Sequence, residues 1–457
     1  MRKFLKRTLI TVCVLLMMNI TLICGLSAGW WHFLPDRILG CISLITIILL
    51  TYLFLEIFPC FEKGFKIRLQ ILSGGYELIV TTFFCLFMEI AGYIIFFAAY
   101  SPSRITTEGV IPLAVINGIA AFFVLLLHYL NGFWRTAVFS SQLGIALRVL
   151  MFFFWWLPPV NMILFCKWCA IVRRELIFEK SSYLLNQARA ENNICRTRYP
   201  VVMVHGIFFR DWQYMNYWGR IPQALKRNGA IVFYGKQQSA LSVAASAAEL
   251  TSEIRRILAE TGAEKVNIIA HSKGGLDARY AISLLGMDDL TASLTTINTP
   301  HKGCQFADVL LASLPKWLIC FVSARYNALF RKLGDSCPDF LAGVYDLTAA
   351  SCAVFNYKVP DSPKVYYQSI MSKMKTAKSA GFPLNLGYLL VKKYEGENDG
   401  LVSVSSAVRG NFPGLLTAGK KGISHGDMID LTHRNVKGFD VCEFYVQLLA
   451  DLKEKGF

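Results

Sequence analysis

Acidic residues are scarce in this chain of 457 residues: 31 Asp and Glu stand against 47 Lys and Arg, charged residues make up 17%, and the net charge is +16. Nucleic-acid binding would use such a surplus through lysines and arginines clustered with base-stacking aromatics, and no such cluster occurs. The surplus is split between the halves, +9 up to residue 198 and +7 after it, which suits an anionic membrane surface better than nucleic acid. The 13 cysteines lack framework spacing, and seven of them precede residue 170. Cys166 and Cys169 form a CxxC with no second pair and no histidine partner, so neither a metal nor a redox site is expected there.

What the chain has in excess is apolar sequence, 54% hydrophobic with a mean hydropathy of +0.43, concentrated in the first 172 residues. About twenty apolar residues cross a bilayer core, and five runs qualify, at roughly 9–31, 38–58, 76–100, 110–130 and 149–172. The first is open to a second reading, a cleaved signal peptide ending near residues 26–28. Arg2, Lys3, Lys6 and Arg7 place the N-terminus in the cytoplasm, and Lys63, Lys66 and Arg68 fit the same side after two crossings. Five spans then leave the C-terminal part extracytoplasmic. The fifth run holds Pro158 and Pro159 near its middle and ends in Lys167, Arg173 and Arg174, so it is also open to being a re-entrant hairpin that returns the chain to the cytoplasm. Glu89 lies in mid-run with no acidic or basic partner at a matching depth, and reads either as a functional group or as a packing residue.

The expected organisation is an all-α multi-span membrane domain over 1–175, a linker over 176–195 and a second domain over 196–457. In the latter, short apolar runs at 201–204, 230–234, from Val266, 294–297 and 365–368 alternate with helical patterns at 221–227 and 243–259. That alternation is the sequence form of an α/β fold with a mainly parallel sheet flanked by helices.

One stretch carries chemistry. Val266-Asn267-Ile268-Ile269-Ala270-His271-Ser272-Lys273-Gly274-Gly275 reads as a strand, a sharp turn bearing a serine, and the start of a helix. A nucleophile elbow needs very small flanking residues, here Ala270 and Gly274, with alanine standing where glycine is usual. The first strand ends in His205-Gly206-Ile207-Phe208, where glycine lets the Ile207 amide face the serine; the Lys273 amide supplies the second donor of an oxyanion hole. Asp399, in the turn Asn398-Asp399-Gly400, and His425, 26 residues later, complete the chain order Ser, Asp, His of α/β-hydrolases. His205 and His271 sit too close to the backbone turns to swing onto Ser272, His301 reads as structural, and His433 as an exposed residue in a polar helical stretch.

These motifs, with Tyr217-Trp218-Gly219-Arg220-Ile221-Pro222 and Asn298-Thr299-Pro300-His301-Lys302-Gly303, resemble bacterial lipases of the Pseudomonas and Burkholderia type, and still more closely the lipase-like hydrolases of clostridia and related Firmicutes. The resemblance covers roughly 195–457 and leaves the membrane half without a counterpart in the secreted lipases. It implies Ser272 as nucleophile, Asp399 as acid, His425 as base, the amides of Ile207 and Lys273 as oxyanion hole, and a helical lid over 306–333 carrying Trp317, Phe321 and Phe330. The family's calcium site is matched only by Asp427; residues 372–393, where its second aspartate belongs, contain no acid, so no cofactor and no metal are expected.

The expected activity is therefore carboxylic-ester hydrolysis at a membrane, on an acylglycerol or a phospholipid. Partners are then a lipid ester and the bilayer, with no nucleic acid. Two alternatives stay open on the sequence: acyl transfer to a lipid alcohol by the same triad, and an inert membrane scaffold.

Overall fold

The computed structural model describes residues 2–24, 36–58, 65–99, 110–154, 156–207, 216–238 and 240–457. The signal-cleavage site at 26–28, Lys63 and Phe208 lie outside them. The chain forms two compact units, Met1–Leu184 and Leu185–Phe457.

The first unit is helical, with helices at Arg2–Met18, Asp36–Ile57, Ile67–Ala99, Val110–Phe139, Ile145–Phe153 and Pro158–Ala188. Two are long and apolar enough to cross a membrane, Ile67–Ala98 and Ile111–Phe139; Arg7–Met18 and Ile45–Ile57 are shorter apolar helices. The third and fourth apolar runs thus correspond to the two helices long and apolar enough to cross a membrane. The fifth is two helices. Ile145–Phe153 stops, and a new helix begins at Pro158, where proline's fixed φ and missing N–H suit a first turn. The second of these helices then carries Lys167, Arg173, Arg174 and Glu175, too many charges for a bilayer core.

Along Ile67–Ala99 the residues Glu77, Thr81, Cys85, Glu89 and Tyr93 recur every four positions, a single helical face. Apolar surroundings drive such groups onto one another. Arg7 pairs with Glu77, Thr81 Oγ1 lies 2.8 Å from His128 Nε2, and the other ring nitrogen of His128 meets Glu56. Glu89 accepts from Asn19 Nδ2 at 2.8 Å, and Asn117 Nδ2 bonds both Asn19 Oδ1 and Tyr93 Oη at 3.0 Å. Glu89 therefore has a partner at its depth, and it is an amide rather than an acidic or basic group, which fits the reading of Glu89 as a packing residue. Gly75 and Gly132 allow the two long helices to approach, since a Cβ on either would lie 2.9 Å from the other's carbonyl oxygen.

The second unit is built on six parallel strands in the order β2-β1-β3-β4-β5-β6: β1 Val201–Val204, β2 Val232–Tyr234, β3 Val266–His271, β4 Thr291–Ile297, β5 Tyr366–Ser372 and β6 Leu415–Leu416. Every residue of β1, β3 and β4 is buried, which is why β1 is wholly apolar and the other two are mostly apolar or β-branched, with Asn267, His271 and Ser293 as the polar exceptions. The two-residue period sends Val201, Met203, Ile269 and Ile297 against the helices Ile221–Arg227 and Val441–Glu454. It sends Val202, Val204, Ile268 and Leu294 against Val243–Thr261 and Gly274–Leu284. The result is the α/β-hydrolase fold that the sequence led us to expect, with a separate all-helical unit preceding it. β2 begins two residues later than expected, β4 starts earlier and β5 runs further, all at boundaries where periodicity is weakest.

Candidate active site

β3 ends at His271, and the helix after it begins at Gly274, so the chain reverses within two residues. Ser272 takes the strain, with φ at +55°, a left-handed conformation that a non-glycine residue enters only when its surroundings impose it. Its amide donates to Ile297 O at 2.9 Å, which ties the turn to β4. Gly274 permits the reversal: a Cβ there would stand 2.4 Å from His205 O. Ala270, the departure from the usual glycine, points into the apolar cluster beneath the sheet, so its methyl is packed rather than opposed to the turn.

The loop after β1 passes directly beside the serine. A Cβ on Gly206 would lie 2.8 Å from Ser272 Cβ. Gly206 N donates to Tyr217 Oη at 3.0 Å, and that hydroxyl bonds His271 Nδ1 at 2.7 Å, pinning loop and elbow together. The ring nitrogens of His205 face the carbonyls of Gly206 and Gln237 at 2.8 Å each, a structural role. Neither the Ile207 amide nor the Lys273 amide donates to another group among the described residues. Buried main-chain donors are otherwise almost always paired, so two idle ones beside the elbow are equipped to receive an oxyanion.

Lys273 sends its side chain inward, where Nζ bonds Asp277 Oδ1 at 2.7 Å and Ser246 Oγ at 2.9 Å. Both ends of this pair are buried, at 3% and 2% exposure. Burial pushes the Asp277 carboxyl up to about 6 against the pull of Lys273. The pair fixes the first turn of the helix and with it the direction of the Lys273 amide.

Asp399 and His425 meet as their order in the chain suggests. His425 Nδ1 bonds Asp399 Oδ2 at 2.7 Å, and the His425 amide donates to Asp399 O at 2.9 Å. With Nδ1–H directed at the carboxylate, the neutral ring presents its lone pair on Nε2. Asp399 is fully buried and accepts three further bonds, from Asn298 Nδ2 at 2.6 Å, Leu401 N at 2.9 Å and Val402 N at 2.8 Å. Gly400, at φ +108°, makes that turn. Among the described residues no hydrogen bond yet joins Ser272 Oγ to His425; in sites without substrate such contacts commonly tighten only on binding.

Three supporting residues carry roles that the sequence did not assign, although Tyr217 and Asn298 stand in motifs that it singled out. Asn298, at φ +48°, also holds Ser372 through Nδ2 to Oγ at 2.8 Å, so it fixes the acid from the end of β4. Tyr217 and Asp277 are the others. His271 is fully buried with its ring 4.4 Å from that of His425, and burial together with the charge of His425 lowers its basicity well below the ordinary histidine value. It stays neutral beside His425. His301 is buried and bonds Thr296 Oγ1 at 3.0 Å, whereas His433 lies in an exposed turn at φ +53° and not in a helix.

Asp427 accepts from Ser424 N at 2.9 Å and Ser424 Oγ at 2.7 Å, which closes the turn bearing His425. A carboxylate engaged in this way, beside a segment without acids, does not fit a cation cage. No group of three or more His, Cys, Asp or Glu side chains converges among the described residues.

The expected lid region contains two helices, Gln305–Ser313 and Lys316–Lys332, bent by 114°. Trp317 and Phe321 face outward at 70% and 52% exposure, while Phe330 is buried and stacks on Tyr326. The short helix that follows, Phe340–Tyr345, reaches the oxyanion loop: a Cβ on Gly343 would touch Ile207 Cδ1 at 3.0 Å.

Comparison with known proteins gives the same direction. Residues 198–329 match the family described as "Putative serine esterase (DUF676)". A triacylglycerol lipase of Burkholderia plantarii is 36% identical over 187 residues, 38% of this chain and 52% of that protein. One from Vibrio cholerae is 40% identical over 129 residues, 28% of this chain and 41% of that protein. Triacylglycerol lipase 2 of Saccharomyces cerevisiae is 27% identical over 323 residues, 66% of this chain and 93% of that protein. The chain spans about half the length of the Burkholderia and Pseudarthrobacter lipases it matches. Among solved structures, the lipase of Staphylococcus hyicus aligns with 57% of this chain and 97% of its own at 18% identity and a TM-score of 0.46. The resemblance to bacterial lipases read from the motifs is thus found again in curated triacylglycerol lipases.

Proposed function

We propose that this chain is a membrane-anchored serine hydrolase that cleaves the carboxylic ester of an acylglycerol or phospholipid. The observation that carries the reading is the strained, nearly buried Ser272 next to His271, whose ring lies 4.4 Å from that of His425 in the buried Asp399–His425 pair, together with two idle amides at Ile207 and Lys273. No cofactor or metal is needed in this scheme. His425 Nε2 takes the Ser272 proton as Oγ bonds the ester carbonyl carbon, and the charge that develops on the carbonyl oxygen falls on the two amides. When the tetrahedral species collapses, the C–O bond to the alcohol breaks and His425 returns the proton to the leaving oxygen. Water, deprotonated by the same nitrogen, then releases the fatty acid and restores Ser272. Asp399 keeps the ring in the tautomer that makes this possible and stabilises the imidazolium.

The outward apolar face of Lys316–Lys332, with Trp317 and Phe321, supports a lipid substrate: such a helix gains when a lipid surface covers it. The broken fifth run bears on topology. With four crossings, Arg2, Lys3, Lys6 and Arg7, then Lys66 and Arg68, then Arg135, Arg148, Arg173 and Arg174 all fall on one side. We therefore place the hydrolase unit in the cytoplasm, against the extracytoplasmic position that five spans would give. Protease digestion of intact cells should spare it, and digestion before lysis would reverse the assignment. For the activity, turnover of esters of graded chain length in detergent is the test. Ser272→Ala should abolish it, and full turnover by that variant would end the mechanism.

A further inference from the structure

The helix Leu384–Glu395 is apolar on the wrong side. Gly387, Tyr388 and Val391 face the unit's interior, as in any surface helix. Yet Leu386, Leu389 and Leu390 are 51%, 55% and 42% exposed, and Phe382 in the preceding turn is 81% exposed. Positions 382, 386, 389 and 390, followed by Lys393 and Tyr394, recur at the three- and four-residue spacing of one helical face. The result is a contiguous outward apolar stripe, whereas scattered single exposed residues would need no explanation.

The stripe is fringed by one sign of charge. Residues 372–393 contain five lysines and no acid. Of these, Lys373 pairs with Glu397 at 2.6 Å and Lys375 Nζ donates to Gly419 O. Lys378, Lys392, Lys393 and Lys420 form no ion pair among the described residues, and Lys421, in a loop bonded to the same segment through Lys375 N to Lys421 O at 2.8 Å, acts on the Asp427 carboxylate. Lys392 and Lys393 lie over Tyr388 and Tyr394, at 5.5 and 5.3 Å from the ring centroids. Long lysine stems around aromatic and leucine side chains, with the ammonium groups at the rim, are how peripheral segments sit in a headgroup layer.

The surface borders the catalytic loops. A Cβ on Gly387 would be 2.1 Å from Gly400 O, next to Asp399, and one on Gly426, next to His425, would meet Leu384 Cδ1 at 3.6 Å. Met374 N, at the start of the lysine segment, donates to Asn398 O at 2.9 Å.

We propose that the Phe382 turn and the outer face of Leu384–Glu395 dock on an anionic lipid surface and present the Ser272 site to esters within it. The leucines and Phe382 enter the acyl boundary, and the unpaired lysines meet negative headgroups. Two features select this occupant over a second copy of the chain: the predominantly positive rim, whose exposed Glu397 is already paired with Lys373 and which would repel itself across a two-fold interface, and the apolar centre that it surrounds. The inference rests on the lipid-ester reading of the site, and it is separable from it.

The test uses the full chain reconstituted in phosphatidylcholine vesicles, with or without roughly a third phosphatidylglycerol, where each lysine near an anionic leaflet is worth about fivefold in partitioning. Amide exchange of residues 382–394, read on Ser272→Ala protein, reports docking without turnover. Protection in the anionic vesicles, weak protection in the neutral ones and none in neutral detergent is the expected result. No protection in either vesicle, or protection in detergent that rises with protein concentration, overturns the proposal. The second arm measures hydrolysis of a long-chain diacylglycerol in the vesicles and of a water-soluble short-chain ester. Lys378→Gln/Lys392→Gln/Lys393→Gln should lose about a hundredfold on the lipid in anionic vesicles, and Leu386→Ser/Leu389→Ser should lose activity in both vesicles, while both variants keep the wild-type rate on the soluble ester. Lysine variants that retain the full gain from anionic lipid contradict the proposal. Failure of the wild type on the soluble ester would strike the hydrolase reading alone, leaving the exchange result to decide docking.

Discussion

Gly206→Ala isolates the oxyanion loop. The added methyl would lie 2.8 Å from Ser272 Cβ, 2.9 Å from Tyr217 Oη and 3.2 Å from His271 O, whereas ordinary contact begins at 3.4 Å. Gly206 is not among the glycines with positive φ, so its backbone conformation tolerates alanine and the effect is one of position. Close packing leaves the serine and the strand end little room to yield, so the loop must withdraw by about 0.6 Å, carrying the Ile207 amide with it. Losing one oxyanion donor outright costs about 10² to 10³ in kcat, and a misplacement of this size should cost roughly 10²-fold, or about 3 kcal/mol. The assay is kcat and KM on a soluble ester in detergent, normalised to the fraction of sites titrated by a fluorophosphonate. Gly381→Ala, where nothing lies within 4 Å, serves as the control and should leave the rate unchanged. A Gly206→Ala protein that keeps its kcat within twofold would refute the assignment of Ile207 as a donor.

Asp399→Asn should fold and yet lose about 10⁴ in kcat, because an amide no longer holds His425 in the working tautomer; a loss under tenfold would remove Asp399 from the mechanism. Asp277→Asn should destabilise the hydrolase unit by about 3 to 5 kcal/mol, since it leaves the Lys273 ammonium buried without its counter-charge, while Lys273→Met/Asp277→Leu should be close to neutral. Thermal unfolding of both variants checks this, and equal losses would show that the pair is not coupled. Asp277 also sets a pH dependence. Its folded value of about 6 lies above its unfolded one, so the folded chain binds the proton more tightly. The stability from that term is fully present below the unfolded value, near about pH 4, and is lost as pH rises through about 6. Subtracting the melting curve of the double variant from that of the wild type should expose a decline across this window; a flat or rising difference would contradict the burial assigned to Asp277.

Much of the fold and site was legible because burial writes itself into sequence. β1 is covered on both faces and appears as an unbroken apolar run, β3 is apolar apart from Asn267 and His271, and Ser272 and Asp399 lie in short motifs whose local geometry is set by Gly206, Gly274 or Gly400. What escaped depends on contacts through space. Asn298 stands in a recognisable motif, but its reach to Asp399 across 101 residues is not written in that motif. Lys273 and Asp277, four apart on a helix, look like a surface pair, and only the structure turns them inward. The Pro158–Pro159 break was visible as an interruption of the fifth run, but continuous apolar sequence on either side left open whether a span or two helices would result. Glu89 seemed isolated because only ionisable partners were sought, whereas Asn19 meets it with an amide. β6, with two residues, carries no periodicity at all. The outward leucines of Leu384–Glu395 look, in sequence, like any core stripe.

The account rests on Ser272 being an activated nucleophile. Treating the folded, membrane-reconstituted chain with a fluorophosphonate probe and mapping the adduct by mass spectrometry tests this directly. The adduct should form on Ser272, should be absent from Ser272→Ala, and should slow sharply in His425→Ala, since the base no longer takes the proton. An unlabelled Ser272 in folded protein, or labelling that is indifferent to His425, would contradict the account.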